Sequence, residues 1–503
     1  MYAAFSVLLL AACLPSGWMQ TALDDYVKQY DPHYNYTVTK KEDRPGVTVY
    51  TVNMTSLKWQ NDSEVDRSIW WHTVTIAVSK NQRIKDSCLL LIGNGRNDIA
   101  LDIPDLTPDD GINAATSTGS CAALVQQIPN QPITYHKYPI ERCKNSLEND
   151  ELFCSWWKFM NDETAGPDVL ILFPMVKVTL ASRRPLPLTS LEATFWAAVR
   201  AMDTVTDLLL KESGGMMNIT KFSLIGASKR GWTAWLAAAV DGRVVSFTPL
   251  VFDLLNIIKN LHHQYRAYCG WSYTMEPEYE LNITRQIDTT RFENLNSYVD
   301  PYAYNERYLN KFVYIIIATG DEILLPDYSR NFFSQLAAKK YFRAIPNTFH
   351  AISLRPLIRL SILDTSIAFY LATIQNLSMP QVSWNLTETE TKGVIYLYTD
   401  QVPSAIKCFF ADTGNSQRRD FRWSTSAGLR IIPWFPCAAE KVENGVYMAE
   451  MSKPLLGWRG FFIEVTFPGP ENKPHVFTSE IHIIPDTYPC EDCQGEECYG
   501  TLV

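Results

Sequence analysis

No cluster of lysine and arginine occurs anywhere in this 503-residue sequence, whose 45 basic side chains are outnumbered by 54 acidic ones. Neutralising a phosphate backbone takes concentrated positive charge, so a net charge of −9 argues against a nucleic-acid partner. Glycine nowhere forms the closely spaced loop that cradles a nucleotide phosphate. Histidine is scarce, with eight residues, and the adjacent His262 and His263 lack the i, i+4 spacing that puts two ligands on one helix face. The acidic stretch through Asp98, Asp102, Asp105, Asp109 and Asp110 lacks the ligand order of an EF-hand and reads as a solvated loop. No metal and no cofactor is therefore expected. Beyond the first twenty residues no hydrophobic run is long enough to cross a bilayer. Residues 357–377 come nearest, but Arg359 and Asp364 mark them as an amphipathic helix, so no transmembrane helix is expected.

What is present points outside the cell. Residues 1–18 read as a signal peptide: an uncharged apolar run from Ala3 to Leu14 precedes Pro15, Ser16 and Gly17. Leu10-Ala11-Ala12-Cys13 also offers Cys13 to a lipidation reading, but two counts favour ordinary secretion. Seven N-x-Ser/Thr sequons occur, at Asn35, Asn53, Asn61, Asn218, Asn282, Asn376 and Asn385, and such acceptors are used only in the secretory pathway. Of eleven cysteines, Cys13 leaves with the leader and ten remain, an even number suited to disulfides. Cys490, Cys493 and Cys498 lie in a Pro- and Glu-rich tail and read as a small disulfide staple rather than a redox or metal site.

With 46% apolar residues the chain can bury a large core, and its periodicities change along the length. Strand-like runs at 47–55, 72–79 and 87–92 come first. A buried-looking run at 169–173 and helical spacing over 191–210 follow. Strands at 222–225, 244–252, 312–319 and 342–345 then alternate with helix-like stretches at 232–240 and 329–338. Continuous apolar strands separated by helices imply a mostly parallel sheet covered on both faces, with an antiparallel start: an α/β-hydrolase-like sheet. After residue 380 six short strand-like runs follow one another without helices, as in a β-sandwich. The expected organisation is a signal peptide to 18, an α/β-hydrolase-like domain over 19–380 with a cap or rim insertion at 96–168, a β-sandwich-like domain over 381–489, and a cysteine-rich tail over 490–503.

The sharpest chemical signal is Gly226-Ala227-Ser228-Lys229-Arg230-Gly231, where a strand gives way to a helix. A serine at such a turn presents its Oγ above the sheet as a nucleophile elbow. The usual G-x-S-x-G pattern is broken here, because Arg230 stands where the second glycine belongs. This fold orders its partners as serine, acid, histidine. His350 follows the last strand of the sheet, the place of the general base. Asp321, at the end of 312–319, is the leading acid, with Glu322, Asp327 and Asp253 as alternatives. Its task would be to accept the imidazole Nδ1–H and stabilise the imidazolium. The oxyanion hole would use the amide of Lys229 and the loop carrying Asn94 and Gly95. The Lys229 and Arg230 side chains either add positive charge to the site or point outward into salt bridges. His475 and His482 sit on strand-like segments and read as structural.

The elbow, His262-His263-Gln264-Tyr265-Arg266, Asp300-Pro301-Tyr302, Ala318-Thr319-Gly320-Asp321-Glu322, Leu325-Pro326-Asp327 and Ile345-Pro346-Asn347-Thr348-Phe349-His350, taken in order, resemble the PhoPQ-activated pathogenicity-related protein family over residues 20–490. The resemblance implies an α/β-hydrolase-like fold with a C-terminal β-rich domain, and matches the family pattern at Ser228, Asp321 and His350. Cys269 stands where that pattern leads one to expect glycine. Two functions are consistent with all this. The first is a secreted, extracellular serine hydrolase acting on an ester or amide. The second, implied by a growth-repressing family member, is a secreted signalling, proliferation-repressing or binding protein on a catalytically weak or silent hydrolase scaffold, meeting a cell-surface partner.

Overall fold

The computed structural model describes residues 20–99, 104–179, 200–352 and 355–503; the expected signal peptide at 1–18, with Cys13, and Asp102 lie outside them. A nine-stranded sheet organises the first part. Its strands are β1 (Asn35–Arg44), β2 (Val47–Lys58), β3 (Ile69–Ser79), β4 (Ser87–Ile92), β5 (Cys121–Val125), β6 (Lys221–Ala227), β7 (Val244–Leu250), β8 (Phe312–Ala318) and β9 (Lys339–Ile345). They lie in the order β1-β2-β3-β5-β4-β6-β7-β8-β9. The strands from β1 to β3 and the β3–β5 pair are antiparallel, and the rest are parallel. Apart from the outermost β1 this is the α/β-hydrolase sheet. Central strands such as β6 and β8 are buried along almost their whole length, because helices cover both faces, and this is why β8 reads as an unbroken apolar run and β6 as one broken only by Ser223 after its first residue. At the edge, β1 is mostly exposed and carries Lys40, Lys41, Glu42, Asp43 and Arg44, charges that discourage pairing with another chain.

Residues 96–168 do more than cap the sheet. Their first half supplies the helix Pro108–Thr118 and then β5, which inserts between β3 and β4. The Cys88–Cys121 disulfide joins β4 directly to β5. Only after Val125 does the chain leave the sheet, to form a layer containing the helix Asn149–Asn161 and the Cys143–Cys154 disulfide. The run at 169–173 is buried from Leu170 onward and leads into a helix, Leu172–Thr179. The helix-like stretch at 329–338 is instead two 3-10 turns, Tyr328–Asn331 and Phe333–Gln335. The helical spacing at 191–210 is realised as Ala201–Glu212, residues 191–199 lying outside the description.

The helix Pro356–Ile374 is long and apolar enough to cross a membrane by length and composition, yet it packs in the core, with Ile367, Phe369, Tyr370 and Leu371 almost wholly buried. Beyond it lie a two-stranded ribbon, Ser424–Thr425 with Gly428–Leu429, and two larger antiparallel sheets. One contains Val382–Glu388, Lys392–Thr399, Val446–Ser452 and Glu440–Glu443, and the other is built around Ala405–Asp412 and Arg459–Phe467. Ile395, Leu397 and Tyr447 from the first share a core with Phe461, Ile463 and Val465 from the second. The same apolar cluster reaches Ile316 of β8 and Phe369, so the sandwich is packed onto the hydrolase-like sheet. One of the six strand-like runs expected after residue 380, at 419–424, is not a strand: residues 419–423 form a loop.

All ten cysteines of the described residues are paired, the remaining bridges being Cys269–Cys490, Cys408–Cys437 and Cys493–Cys498. Cys269 ends the helix Ile257–Tyr268 at φ 57°, ψ 41°, the left-handed cap at which glycine is favoured, and its disulfide ties that cap to the C-terminal tail. All seven sequon asparagines are exposed.

Candidate active site

Strand order fixes where a site can form. The chain steps from β4 outward to β5 on one side and resumes with β6 on the other, so the loops leaving β4 and β6 part and open a crevice at the carboxyl ends of the strands. A cleft of about 500 Å³ occupies that position, lined by Asn94, Asp105, Glu148, Ser228, Lys229 and His350 among others. Ser228 joins β6 to the helix Lys229–Val240 with φ 55° and ψ −127°, a conformation that L-residues resist. The turn closes only because Gly226 has no side chain: a Cβ there would lie 2.4 Å from the Arg230 carbonyl oxygen. At Gly231, the displaced second glycine, a Cβ would lie 3.0 Å from the Phe252 Cβ and 3.1 Å from the Gly226 carbonyl oxygen, so the motif keeps its packing function one residue late.

The structure brings Ser228, His350 and Asp321 together. His350 Nε2 lies 2.9 Å from Ser228 Oγ, and its Nδ1 lies 2.8 Å from Asp321 Oδ2. The other Asp321 oxygen accepts the backbone N–H groups of Ile323 and Leu324 at 2.8 and 3.0 Å, which holds the carboxylate in one orientation. Glu322 accepts the His350 backbone N–H at 3.1 Å, so it steadies the loop rather than the ring. Burial alone would lower the His350 pKa, but the charge and hydrogen bond of Asp321, with Glu322 behind them, outweigh it and raise it above the ordinary imidazole value.

A family model described as PhoPQ-activated pathogenicity-related protein matches residues 23–422. The chain belongs to that family. It is 30% identical to Autocrine proliferation repressor protein A of Dictyostelium discoideum, over 98% of this chain and 96% of that protein. Among solved structures, acetyl xylan esterase 1 from Thermoanaerobacterium sp. JW/SL YS485 aligns with TM-score 0.41 at 11% identity, covering 69% of this chain and 92% of the esterase. An S-formylglutathione hydrolase from Agrobacterium tumefaciens aligns with TM-score 0.35 at 11% identity, covering 67% and 99%.

In this member of the PhoPQ-activated family the two cations after the serine turn inward. Lys229 Nζ reaches Glu148 Oε2 at 2.6 Å, and Arg230 grips the same carboxylate at 2.7 and 3.0 Å. Glu148 lies in the layer above the sheet at φ 51°, fixed by Gln131, which accepts its backbone N–H at 2.8 Å and donates to its side chain at 2.9 Å. Burial opposes ionisation of Glu148, but Arg230 and Lys229 hold its carboxyl well below the usual range. Nothing in the sequence singled out Glu148. The signal for it was indirect, since two adjacent buried cations require a carboxylate partner. Of the expected oxyanion residues, Lys229 and Asn94 line the cleft, and Asn94 is held by accepting the Asp105 N–H at 3.1 Å. Gly95 is not among the lining residues; it packs against Gln127, whose nitrogen would lie 2.9 Å from a Cβ there.

The alternative acids have other partners or none. Asp327 is shared by His263 at 3.0 Å and Arg419 at 2.6 Å. Asp253 is buried with its Oδ2 unpartnered, and burial beside Asp321 pushes its carboxyl well up. His262 bonds Asp288 and Asp492 at 2.8 Å, and the Cys493 and Cys498 sulfurs near it are spent on a disulfide. His482 Nε2 donates to the Thr387 carbonyl at 3.0 Å, a structural contact.

Glu278, behind the acid loop, is pushed up to about 8 by burial, with one oxygen unpartnered. Its folded pKa therefore exceeds its unfolded value near 4.3, and the stability it permits below that value is lost as pH rises through 8. Thermal unfolding should accordingly occur at a lower temperature at pH 8.5 than at pH 5.5. Glu278→Gln, neutral throughout, should flatten that dependence, and a slope unchanged by the substitution would contradict the assignment.

Proposed function

We propose that this protein is a secreted serine hydrolase that cleaves an ester or amide through an acyl-enzyme on Ser228. The observation that carries the reading is the continuous hydrogen-bonded line from Ser228 Oγ through His350 to Asp321 at the mouth of the cleft. In this scheme His350 Nε2 takes the Ser228 proton as Oγ attacks the substrate carbonyl, and the imidazolium is stabilised by Asp321. The oxyanion is received by the Lys229 N–H at the positive end of the helix Lys229–Val240, with a second donor from the Asn94 loop. His350 then returns the proton to the leaving alcohol or amine, and a water, deprotonated by the same base, releases the acid. No cofactor is called for. Secretion is supported by the residue 1–18 leader, the five disulfides and the seven exposed sequons, which we read as glycosylated.

A fluorophosphonate probe tests the chemistry directly. The mature glycoprotein should label on Ser228, and Ser228→Ala should not. Because the base must be neutral, the labelling rate should rise with pH through a midpoint above the ordinary imidazole value of about 6.5. Failure of the wild-type protein to label, or labelling that survives Ser228→Ala, would overturn the reading.

The relative named as an autocrine proliferation repressor favours a second reading, in which this chain restrains growth through a cell-surface partner. A growth effect undiminished in Ser228→Ala would support that role without hydrolysis.

A further inference from the structure

We propose that the loop 419–434 of the C-terminal sandwich, through Trp423 and Trp434, is a positioning element that holds the Asp321 and His350 loops in register. What the register serves rests on the hydrolase reading above; the contacts themselves do not.

Asp321 and His350 stand on loops that leave β8 and β9, each anchored by its strand on one side only. The loops meet where the Gly320 N–H donates to the Thr348 carbonyl at 2.9 Å. The sandwich closes the open side. The Trp423 N–H donates to the Gly320 carbonyl at 3.0 Å, and the indole lies so close over Gly320 that a Cβ there would be 2.3 Å from the ring. Gly320 has no positive φ to explain its identity, so the approach of Trp423 is the reason for it. On the histidine side, Phe349 lies nearly parallel to Trp423, centroids 6.4 Å apart. Asn347 and Trp434 bond reciprocally: Asn347 Nδ2 donates to the Trp434 carbonyl at 2.9 Å, and the Trp434 N–H donates back to Oδ1 at 2.8 Å. One loop thus touches the residue before the acid, the residue before the histidine and the turn leading into it.

The loop is rigid enough for the task. Trp423 Nε1 donates to the Ile432 carbonyl at 2.9 Å. Arg422, 1% exposed, pairs with Asp420 and donates to Ser272 Oγ at 3.0 Å, and Ser272 Oγ in turn donates to the Glu322 carbonyl at 2.6 Å. Arg419 anchors the start of the loop on Asp327. A support whose own side chains are locked can hold a catalytic pair within the few tenths of an ångström that proton transfer needs. Neither tryptophan lines the cleft, so the loop acts on the catalytic pair and not on substrate binding.

The test uses the full-length glycoprotein with Trp423→Ala, Trp423→Phe, Gly320→Ala and the Gly320→Ala/Trp423→Ala pair. Two quantities are read: fluorophosphonate labelling, separated into probe affinity and limiting rate, and the His350 titration by NMR on histidine-labelled protein. Trp423→Ala should lower the limiting rate by about 10- to 100-fold with affinity unchanged, by analogy with small misplacements of catalytic groups. The His350 midpoint should move towards that of a free imidazole, and Trp423→Phe should restore most of both. Gly320→Ala should be as damaging as Trp423→Ala, while the pair should be no worse than either, since removing the indole makes room for the new methyl group. A folded Trp423→Ala protein with wild-type rate and wild-type His350 titration, or losses that multiply in the pair, would overturn the proposal. If Trp423→Ala does not fold, Gly320→Ala against wild type decides it by the same two readouts. Should the wild type not label, the hydrolase reading fails, and the His350 midpoints still decide the contact.

Discussion

Ser228→Ala is expected to lower hydrolysis of a simple ester such as p-nitrophenyl acetate by a factor of about 10⁴ or more, the loss typical of removing the nucleophile of a hydrogen-bonded triad. Asp321→Asn in the same protein should add almost nothing, because acid and base act only through Ser228 Oγ. The stability side of the experiment separates chemistry from fold. Ser228 holds φ 55°, a strain of about 1–3 kcal/mol for a residue with a Cβ. Alanine keeps that strain, so Ser228→Ala should melt within about 1 °C of wild type, well inside the spread of ordinary surface changes. Glycine adopts the same angles freely, and after its own entropy cost is subtracted Ser228→Gly should gain about 1 kcal/mol while being equally inactive. Differential scanning calorimetry of the three proteins checks this. A Ser228→Gly variant less stable than Ser228→Ala would mean that the elbow is not strained.

The parts of this molecule that could be read from sequence are those in which one strand or one turn dictates the answer. Strand β8 is apolar throughout and β6 nearly so, because both faces are covered, and Ser228, Asp321 and His350 follow strand ends in the order the fold imposes. What could not be read depends on contacts between distant segments. The edge strand β1 has polar residues on both faces, so it carries neither alternation nor an apolar run. β5 is five residues, two of them alanine, and nothing local distinguishes it from the loop on either side. The apolar run that begins the helix Leu172–Thr179 is too short for periodicity to decide between strand and helix. Arg230 looked like a defect in the elbow motif until Glu148, 82 residues earlier, supplied its partner. Gly320 likewise has a reason only when Trp423 is seen above it.

Glu148→Ala should be the most damaging substitution outside the triad. The carboxylate serves two cations that are almost wholly buried, Lys229 at 7% and Arg230 at 3% side-chain exposure, while its own side chain opens to the cleft at 39%. Removing one partner of a buried ion pair costs about 3–5 kcal/mol, because the charge left behind has lost its solvation and gained nothing. Access of water through the cleft reduces this, and a loss of about 2–3 kcal/mol is expected, read as a lower denaturation midpoint with an unchanged slope. Activity should fall with it. Lys229 donates the oxyanion-hole amide in our scheme, and its side chain would then have to turn towards solvent, pulling on the first turn of the helix. Two further variants separate charge from packing. Glu148→Gln keeps the hydrogen-bond acceptor and should lie between wild type and Glu148→Ala. Replacing the whole cluster, Glu148→Leu with Lys229→Met and Arg230→Met, leaves no unpaired charge and should be more stable than Glu148→Ala alone, even though three residues are changed. Stabilities that fall step by step with each substitution would show that the three side chains act separately and that Glu148 is not what locks the upper layer onto the elbow.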